Sequence, residues 1–524
     1  MSASRLTRRS LLAATAGAMA GGLVRPGGVL AALSGPARPV LEERRLGLLG
    51  PSARTVELAR VADLLAVEWQ APASAAVQLR FRGPDGRWSG WVSANAHGHG
   101  PDAPSQARGH VGDPVWSGGT RSVQLRANRG LHGVRLHLVD ASGGVGARRQ
   151  ALALGGLASA ASLPTASPVL AAGAGQPPII ARRAWAQGIS HPRVAPEYGA
   201  VRMAFVHHTE NPNGYLAGEV PAMLRAIYSF HRYVRGWNDI GYNFVVDLYG
   251  RIFEARAGGI DEPVVGAHAG GYNLASSGVA VLGSFMGVPI STQARHALER
   301  LLAWKLSLHG LPSAGRVMVK VNPAGAVYSR FPANARVSLK RIAGHRDGDS
   351  TDCPGEVLYR ELPGIRTAVA GLAPRPVRAT LAPAPAPAPA PPPAPSPQAT
   401  TPSPTGEGAP ATAPTLAGAL AFLDGTPIAG ATIAVQARTV SRKGEAVREQ
   451  TLAEVVTDAQ GQFSLPASFA NVPAGPMWLR ALCAGSSAFA AAVSDPLHVS
   501  VGAPLLSPPA AAAPSAPGAA PPAS

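Results

Sequence analysis

Val201-Arg202-Met203-Ala204-Phe205-Val206-His207-His208-Thr209 is the stretch on which the reading of this chain turns. Residues 201–206 form a short apolar run of the length of a buried strand, and it ends on two histidines and a threonine. Successive side chains of a strand point to opposite faces, so His207 and His208 serve different surroundings. Working outward, Val220, Met223, Leu224, Ile227, Phe230 and Val234 recur at spacings of three and four, the signature of one helix face. Residues 242–254 read as a hairpin around Leu248-Tyr249-Gly250, and residues 279–285 as a buried strand. Ser291 or Thr292 can cap a second helix that buries Leu298, Leu301, Leu302 and Leu308 and stops at Gly310. Ile342 and Ala343 lead into a segment carrying His345. Strands and helices alternating on this scale predict an α/β (α+β) domain over residues 177–373, with a mixed central sheet covered by helices.

The flanks have a different texture. Upstream, Val77, Leu79 and Phe81, then Val123 and Leu125, then Val134, Leu136 and Leu138 alternate with polar residues, which predicts a small all-β sandwich over residues 37–140. Residues 141–176 are rich in Ala, Gly and Ser and read as a linker. Residues 374–415 are Ala-Pro repeats followed by Ser, Thr and Pro; at roughly 3.1 Å per residue they would reach on the order of 100 Å. Residues 416–502 are again strand-like, with turns at Asp424-Gly425-Thr426-Pro427 and Asp458-Ala459-Gln460-Gly461, and predict a second sandwich. The tail, residues 503–524, is too rich in Pro and Ala to bury a core. The whole is multidomain, and its last sandwich is expected to act as a tether. Trp88, Trp91 and Trp116 are candidates for a carbohydrate platform, although tryptophans so placed are more often core.

The first 36 residues read as an export signal. Thr7-Arg8-Arg9-Ser10-Leu11-Leu12 resembles a twin-arginine signal, followed by an apolar run too short and too rich in Ala and Gly to span a bilayer well. An extracellular, wall-associated or periplasmic protein follows, with no membrane span once mature. The net charge of +17 favours polyanionic partners such as anionic wall polymers. Nearly all of it is arginine, since the only lysines are Lys305, Lys320, Lys340 and Lys443. No basic cluster is interleaved with aromatics, so nucleic acid is not an expected partner. The two cysteines, Cys353 and Cys483, fall in different domains, and no disulfide is expected between them. Nothing in the sequence calls for more than a monomer.

The chemistry gathers in the middle domain. Downstream of His207 stands Gly344-His345-Arg346-Asp347-Gly348-Asp349-Ser350-Thr351-Asp352-Cys353-Pro354-Gly355. Zinc takes imidazole nitrogen and thiolate sulfur readily, and a catalytic zinc needs three protein ligands and one open position. A loop rich in Gly, Asp and Ser can fold back so that His345 and Cys353 face one ion, with His207 as a third donor. The alternative is a solvated polar loop with a stray thiol. Asp347 and Asp352 read as acceptors within that loop.

Five segments, in order, resemble the peptidoglycan recognition protein and type-2 N-acetylmuramoyl-L-alanine amidase family: Arg182-Arg183-Ala184-Trp185, His207-His208-Thr209, Asp239-Ile240-Gly241-Tyr242-Asn243-Phe244, Gly266-Ala267-His268, and the Gly344 to Gly355 stretch. The resemblance implies a zinc amidase domain, and zinc held by His207, His345 and Cys353. It also implies a catalytic Tyr242 and, where phage-type members carry a lysine, a catalytic Thr351 whose hydroxyl is a weaker partner for the oxyanion. His268 and Asn273 are implied as substrate-groove residues, their alternative being loop polar groups satisfied locally. His208 is read as support at the site's edge and is grouped with His268, Asn273 and Arg346 as candidate substrate contacts. No glutamate in the ligand segments is seen as a base. Arg182 and Trp185 pack the entry segment, His231 is a satisfied helix histidine, and His296 and His309 lie on the surface of the second helix. The implied reaction is hydrolysis of the lactyl–L-alanine amide of peptidoglycan by metal-activated water. The competing reading is a peptidoglycan-binding protein that does not cut; the complete set His207, His345, Cys353 and Tyr242 favours the enzyme. The last sandwich resembles carboxypeptidase-regulatory or transthyretin-like modules by its 425–431 start and 457–463 turn, and its Cys483 is a small buried hydrophobe.

Overall fold

The structure is a computed structural model that describes residues 39–70, 75–83, 86–94, 100–102, 109–141, 175–188, 190–372, 375–384, 415–440, 447–466, 475–486 and 488–501. The expected export signal and C-terminal tail lie outside these residues, as does most of both expected linkers.

The N-terminal domain holds strands β1 (Val40–Leu49), β2 (Arg54–Trp69), β3 (Val77–Phe81), β4 (Val92–Ser93), β5 (His110–Val111), β6 (Val115–Ala127) and β7 (Leu131–Asp140). They form one hydrogen-bonded array, β1-β7-β2-β6-β3-β4, with β5 on β2, in place of the two separate sheets of a sandwich. The reason is the length of β2, whose pairing with β6 is broken by irregularities between Glu57 and Leu64. Such breaks bend a sheet without ending it, and a single core of Leu65, Val67, Trp69, Leu79, Leu125 and Leu136 results.

The middle domain carries β8 (Ile179–Ile180), β9 (Met203–His208), β10 (Phe244–Val246), β11 (Ile252–Glu254), β12 (Ser276–Val281) and β15 (Ile342–Gly344) in the order β15-β9-β12-β10-β11-β8. β15, β12 and β10 run parallel along the path through β9, while β11 is antiparallel to β10, so the sheet is mixed. Helices α1 (Arg182–Ala186), α2 (Val220–Ser229), α3 (Thr292–Leu308) and α4 (Glu356–Leu372) cover it. A hairpin of β13 (Arg316–Lys320) and β14 (Arg336–Lys340) closes one edge over Met203, Phe205 and Tyr272. Ser291 caps α3 by accepting from the Ala294 N–H at 3.1 Å. α2 runs on into a π-helical turn, Phe230–Val234. Alternation along β9 sends Ala204 and Val206 to the face under α3 and α4, and Met203 and Phe205 to the other.

Downstream, β16 (Val377–Pro383), β17 (Thr415–Phe422) and β20 (Gln462–Pro466) make one sheet. β18 (Thr432–Val440), β19 (Val447–Val456), β21 (Gly475–Cys483), β22 (Ala492–Val493) and β23 (Leu497–Val501) make the other. One core, including Cys483, lies between them. The expected linker at 374–415 therefore begins too early: Val377 is fully buried, and β16 pairs with β17 from Val377↔Phe422 to Pro383↔Leu416.

Both flanking domains dock on the middle one. Leu64, Val111, Trp116 and Val139 share a cluster with α2, whereas Leu482, Ala491 and Val493 share one with α3 and α4. Arg438 and Arg480 bring their guanidinium groups to Asp261 and Glu262, and the Arg480 Nη1 to Glu262 contact is 2.8 Å. Burial alone would raise the Asp261 carboxyl, but Arg480 and Arg438 hold it well below the usual range. His309, expected on the surface, lies beside this cluster, and burial pushes its imidazole well below its ordinary value.

Candidate metal centre and its surroundings

The sheet topology explains why two distant histidines meet. β15 pairs in parallel with β9 at Ile342↔Ala204, Ala343↔Phe205 and Gly344↔Val206, so the next residues in register are His345 and His207. Both stand at the carboxyl ends of adjacent strands, where open α/β sheets build their sites. Their ring centroids are 4.4 Å apart. A short 3-10 turn, His345–Asp347, and the loop after it return Cys353 to the same point. One donor atom each from His207, His345 and Cys353 lies within 4.8 Å of the others, and all three side chains are fully buried.

Each imidazole is tethered through its far nitrogen. His345 Nε2 meets Asp349 Oδ2 at 2.8 Å. His207 Nε2 meets His268 Nδ1 at 3.1 Å, while its Nδ1 faces the Cys353 sulfur at 3.7 Å. Partners of this kind fix the tautomer and orientation of metal-binding histidines. The donor set, two imidazoles and a thiol, is what zinc takes. Burial pushes the Cys353 thiol well above its ordinary value, a cost that a cation at the shared point would offset. The residues present therefore fit zinc.

Tyr242 stands 5.5 Å from the His207 ring, centroid to centroid. Burial, followed by the charge of Cys353, raises its phenol well above the ordinary value, so it stays a neutral O–H donor. His231 stacks on Trp237 at 4.4 Å and accepts the Gly241 N–H at 3.2 Å, fixing the segment that leads into Tyr242. Arg182 pairs with Asp239 at 2.7 Å, and the Trp185 indole donates to the Glu254 carbonyl at 2.7 Å. Thr351 turns its hydroxyl back to accept the Cys353 N–H at 3.1 Å.

The candidate substrate contacts are each engaged within the protein. His208 is buried, with Nδ1 accepting from the Phe285 N–H at 3.4 Å and Nε2 3.1 Å from Glu210. Its Nδ1 is bonded inside the protein, while its Nε2 lies within ion-pair distance of Glu210 without a hydrogen bond and its side chain borders the slot beside Tyr242. His268, expected in the groove, sits fully buried behind His207. Its ring fits because Gly266 and Gly278 carry no side chain: a Cβ on either would lie 2.3 Å from the imidazole. Asn273 accepts the His268 and Ala269 N–H groups at 2.8 and 3.1 Å. Arg346 folds onto its own loop, with Nη1 2.8 Å from Glu356 and its guanidinium over Tyr359. Trp116 is buried against the middle domain, and Trp88 and Trp91 are stacked by Arg80, Arg82 and Arg126.

Two residues escaped the sequence reading. Asp349 lies four residues after His345 and holds its ring. Glu210 directly follows His207-His208-Thr209; it is buried, paired with His208, and held at φ 57°. Strained backbone of this kind clusters at functional sites, but it has no signature in sequence.

Residues 197–356 match the family model described as N-acetylmuramoyl-L-alanine amidase, and residues 38–153 match one described as Rv3811 N-terminal galactose-binding domain-like. Among curated relatives, the chain is 30% identical to the N-acetylmuramoyl-L-alanine amidase of Homo sapiens over 33% of this chain and 26% of that protein. It is 26% identical to peptidoglycan-recognition protein SC1a of Drosophila melanogaster over 31% of this chain and 71% of that one. The chain thus spans about a quarter of the human relative's length. Among solved structures, Drosophila PGRP-LB wild-type is similar at 26% identity, 35% of this chain, 91% of that chain and a TM-score of 0.27. No helix among the described residues is long and apolar enough to cross a membrane. By its motifs, the family model and the sequence relatives, the segment at residues 197–356 belongs to the peptidoglycan recognition protein and type-2 N-acetylmuramoyl-L-alanine amidase family.

Proposed function

We propose that the chain is a zinc-dependent N-acetylmuramoyl-L-alanine amidase, exported to act on peptidoglycan, that hydrolyses the amide between the lactyl group and L-alanine. The observation that supports it most is the convergence of His207, His345 and Cys353 at one buried point, with the far nitrogen of each imidazole tethered. When bound there, zinc supplies an activated water and a positive charge beside the scissile carbonyl. The chain's own part is positional and electrostatic. His268 and Asp349 fix the two imidazoles. Tyr242, kept protonated by burial, donates its O–H to the oxygen that gains charge as the amide carbon becomes tetrahedral. Thr351 keeps the Cys353 loop closed through the Cys353 N–H. The net charge of +17 adds a salt-sensitive attraction to anionic wall polymers.

Digestion of purified peptidoglycan, with products weighed by mass spectrometry, tests the reading. Free stem peptides bearing an N-terminal alanine are expected, and their release should stop with chelator. Cys353→Ser should lose both zinc and activity. Tyr242→Phe should retain zinc and lose about 100- to 1,000-fold in turnover, the usual effect of removing one oxyanion donor. Wild-type turnover in Tyr242→Phe would remove its donor role. Binding of peptidoglycan with no stem peptide released by zinc-loaded protein would leave a recognition protein instead.

A further inference from the structure

Two described pieces of the N-terminal domain lie on the middle domain around the metal centre. On one rim, Gly100 and Asp102 meet the segment that follows His268. The Asp102 Oδ1 accepts the Gly271 N–H at 2.6 Å and the Asn273 Nδ2 at 3.0 Å, and its Oδ2 accepts from Asn322 Nδ2 at 3.4 Å. Asn273 also donates to the Gly100 carbonyl at 3.0 Å. Gly100 lies flat on Tyr328, where a Cβ would come within 2.4 Å of the ring. Three N–H groups from two segments, two from 271–273 and one from Asn322, thus converge on one carboxylate. On the other rim, Arg235 donates to the Val111 carbonyl at 2.7 Å and stands 3.9 Å from Asp113, and the Trp116 N–H donates to Asn211 at 2.8 Å. At this second rim, Asp113 and Pro114 face His208, Thr209 and Tyr242 across a slot with a volume of about 10 Å³, room for about one water.

A slot of that size cannot admit an amide carried on a sugar chain. Asn273 hydrogen-bonds both to the segment behind the ligand histidine and to the N-terminal domain, so the closure is anchored in the site itself. Asp102 lies 169 to 220 residues from its three partners, so the contact is not a local turn that any loop would form.

We propose that the N-terminal domain is a built-in competitor for the amidase cleft: Asp102 fills a donor cradle on one rim, residues 111–116 close the other, and a wall substrate enters only when the domain is displaced. The proposal takes its substrate from the amidase reading above, but the closure is measurable without any activity. The measurement is the alkylation rate of Cys353 in the full chain after removal of metal by chelator, followed peptide by peptide. Cys483, buried in the C-terminal core, is the internal control for general unfolding.

Asp102→Arg places a cation against three N–H donors, and Gly100→Trp drives the same loop off Tyr328. Either should accelerate Cys353 alkylation about 10- to 100-fold, the factor that corresponds to losing a charged hydrogen-bond set, with Cys483 unchanged. Asp102→Asn, which keeps an acceptor in the cradle, should stay near the wild-type rate. Turnover on insoluble wall should rise in the two opened variants. If neither accelerates Cys353 selectively over Cys483, the proposal is overturned. Selective acceleration without turnover in any zinc-loaded protein would leave the closure in place and remove the amidase reading.

Discussion

Asp349 is the residue on which the metal reading can be tested most sharply, because it touches only one ligand. Its carboxylate is fully buried and meets His345 Nε2 at 2.8 Å. Asp349→Ala leaves that buried ring nitrogen without its partner. A buried donor so orphaned costs about 1–3 kcal/mol, and each 1.4 kcal/mol is tenfold in an equilibrium constant. The loss expected in zinc affinity is therefore about 5- to 150-fold, and the loss commonly seen for such partners of ligand histidines is about 10- to 100-fold. Part of the effect will fall on the apo fold, since burial pushes the Asp349 carboxyl well above its ordinary range and its removal relieves that cost. Competition against a chromogenic chelator gives the affinity, and thermal unfolding with and without zinc separates it from stability. If zinc affinity is unchanged in Asp349→Ala, His345 is not a ligand held by this carboxylate, and the assignment of the centre fails.

The interface with the C-terminal domain gives a second prediction. Arg480→Met leaves Asp261 and Glu262 buried with one guanidinium fewer, which should cost about 3–5 kcal/mol in urea unfolding; no loss would mean that the ion cluster does not hold the interface. A third concerns pH. His309 has a folded pKa pushed well below 6.5 by burial, next to Lys305, so as pH falls below about 6.5 the unfolded chain takes up a proton that the folded chain does not. Stability should therefore fall with pH by up to about 1.4 kcal/mol per unit, and His309→Leu should flatten the slope; an unchanged slope would place the effect elsewhere.

How far the sequence could be read follows from the range of each interaction. The strand into His207, the helix face from Val220, the hairpin around Gly250 and the Ser291 cap are local patterns, and the elements observed there are β9, α2, β10–β11 and α3. The convergence of His207, His345 and Cys353 was implied by resemblance and is given a physical cause by the parallel register of β9 and β15. What escaped was set at long range. Arg438 and Arg480 sit on paired strands β18 and β21, where a charge in an alternating pattern reads as solvent-facing; only the acidic pair Asp261 and Glu262, far away in sequence, makes them buried. Asp102 gave no signal because its donors come from two segments, 271–273 and Asn322, 169 to 220 residues away. His268 read as a groove residue because the role of Gly266 and Gly278 in seating its ring depends on the folded sheet.

The two docked domains then predict opposite consequences, and that contrast replaces the expectation of a C-terminal sandwich held only as a tether. The N-terminal domain packs on the sheet face that carries α2, in the same cluster as Tyr242, through Val111 and Trp116. The C-terminal domain packs on the other face, against α3 and α4, through Leu482, Ala491 and Val493. Loosening the first should open the metal centre while leaving the ion cluster at Asp261 intact. Loosening the second should lower stability while leaving the alkylation rate of Cys353 unchanged relative to global unfolding. Asp102→Arg and Arg480→Met, measured side by side for urea midpoint and for Cys353 access, should therefore dissociate in both directions. Arg480→Met opening Cys353 under native conditions as fast as Asp102→Arg would show that the two faces of the sheet are coupled, and the N-terminal domain would then be one of two stabilisers of a single buried centre and not its gate.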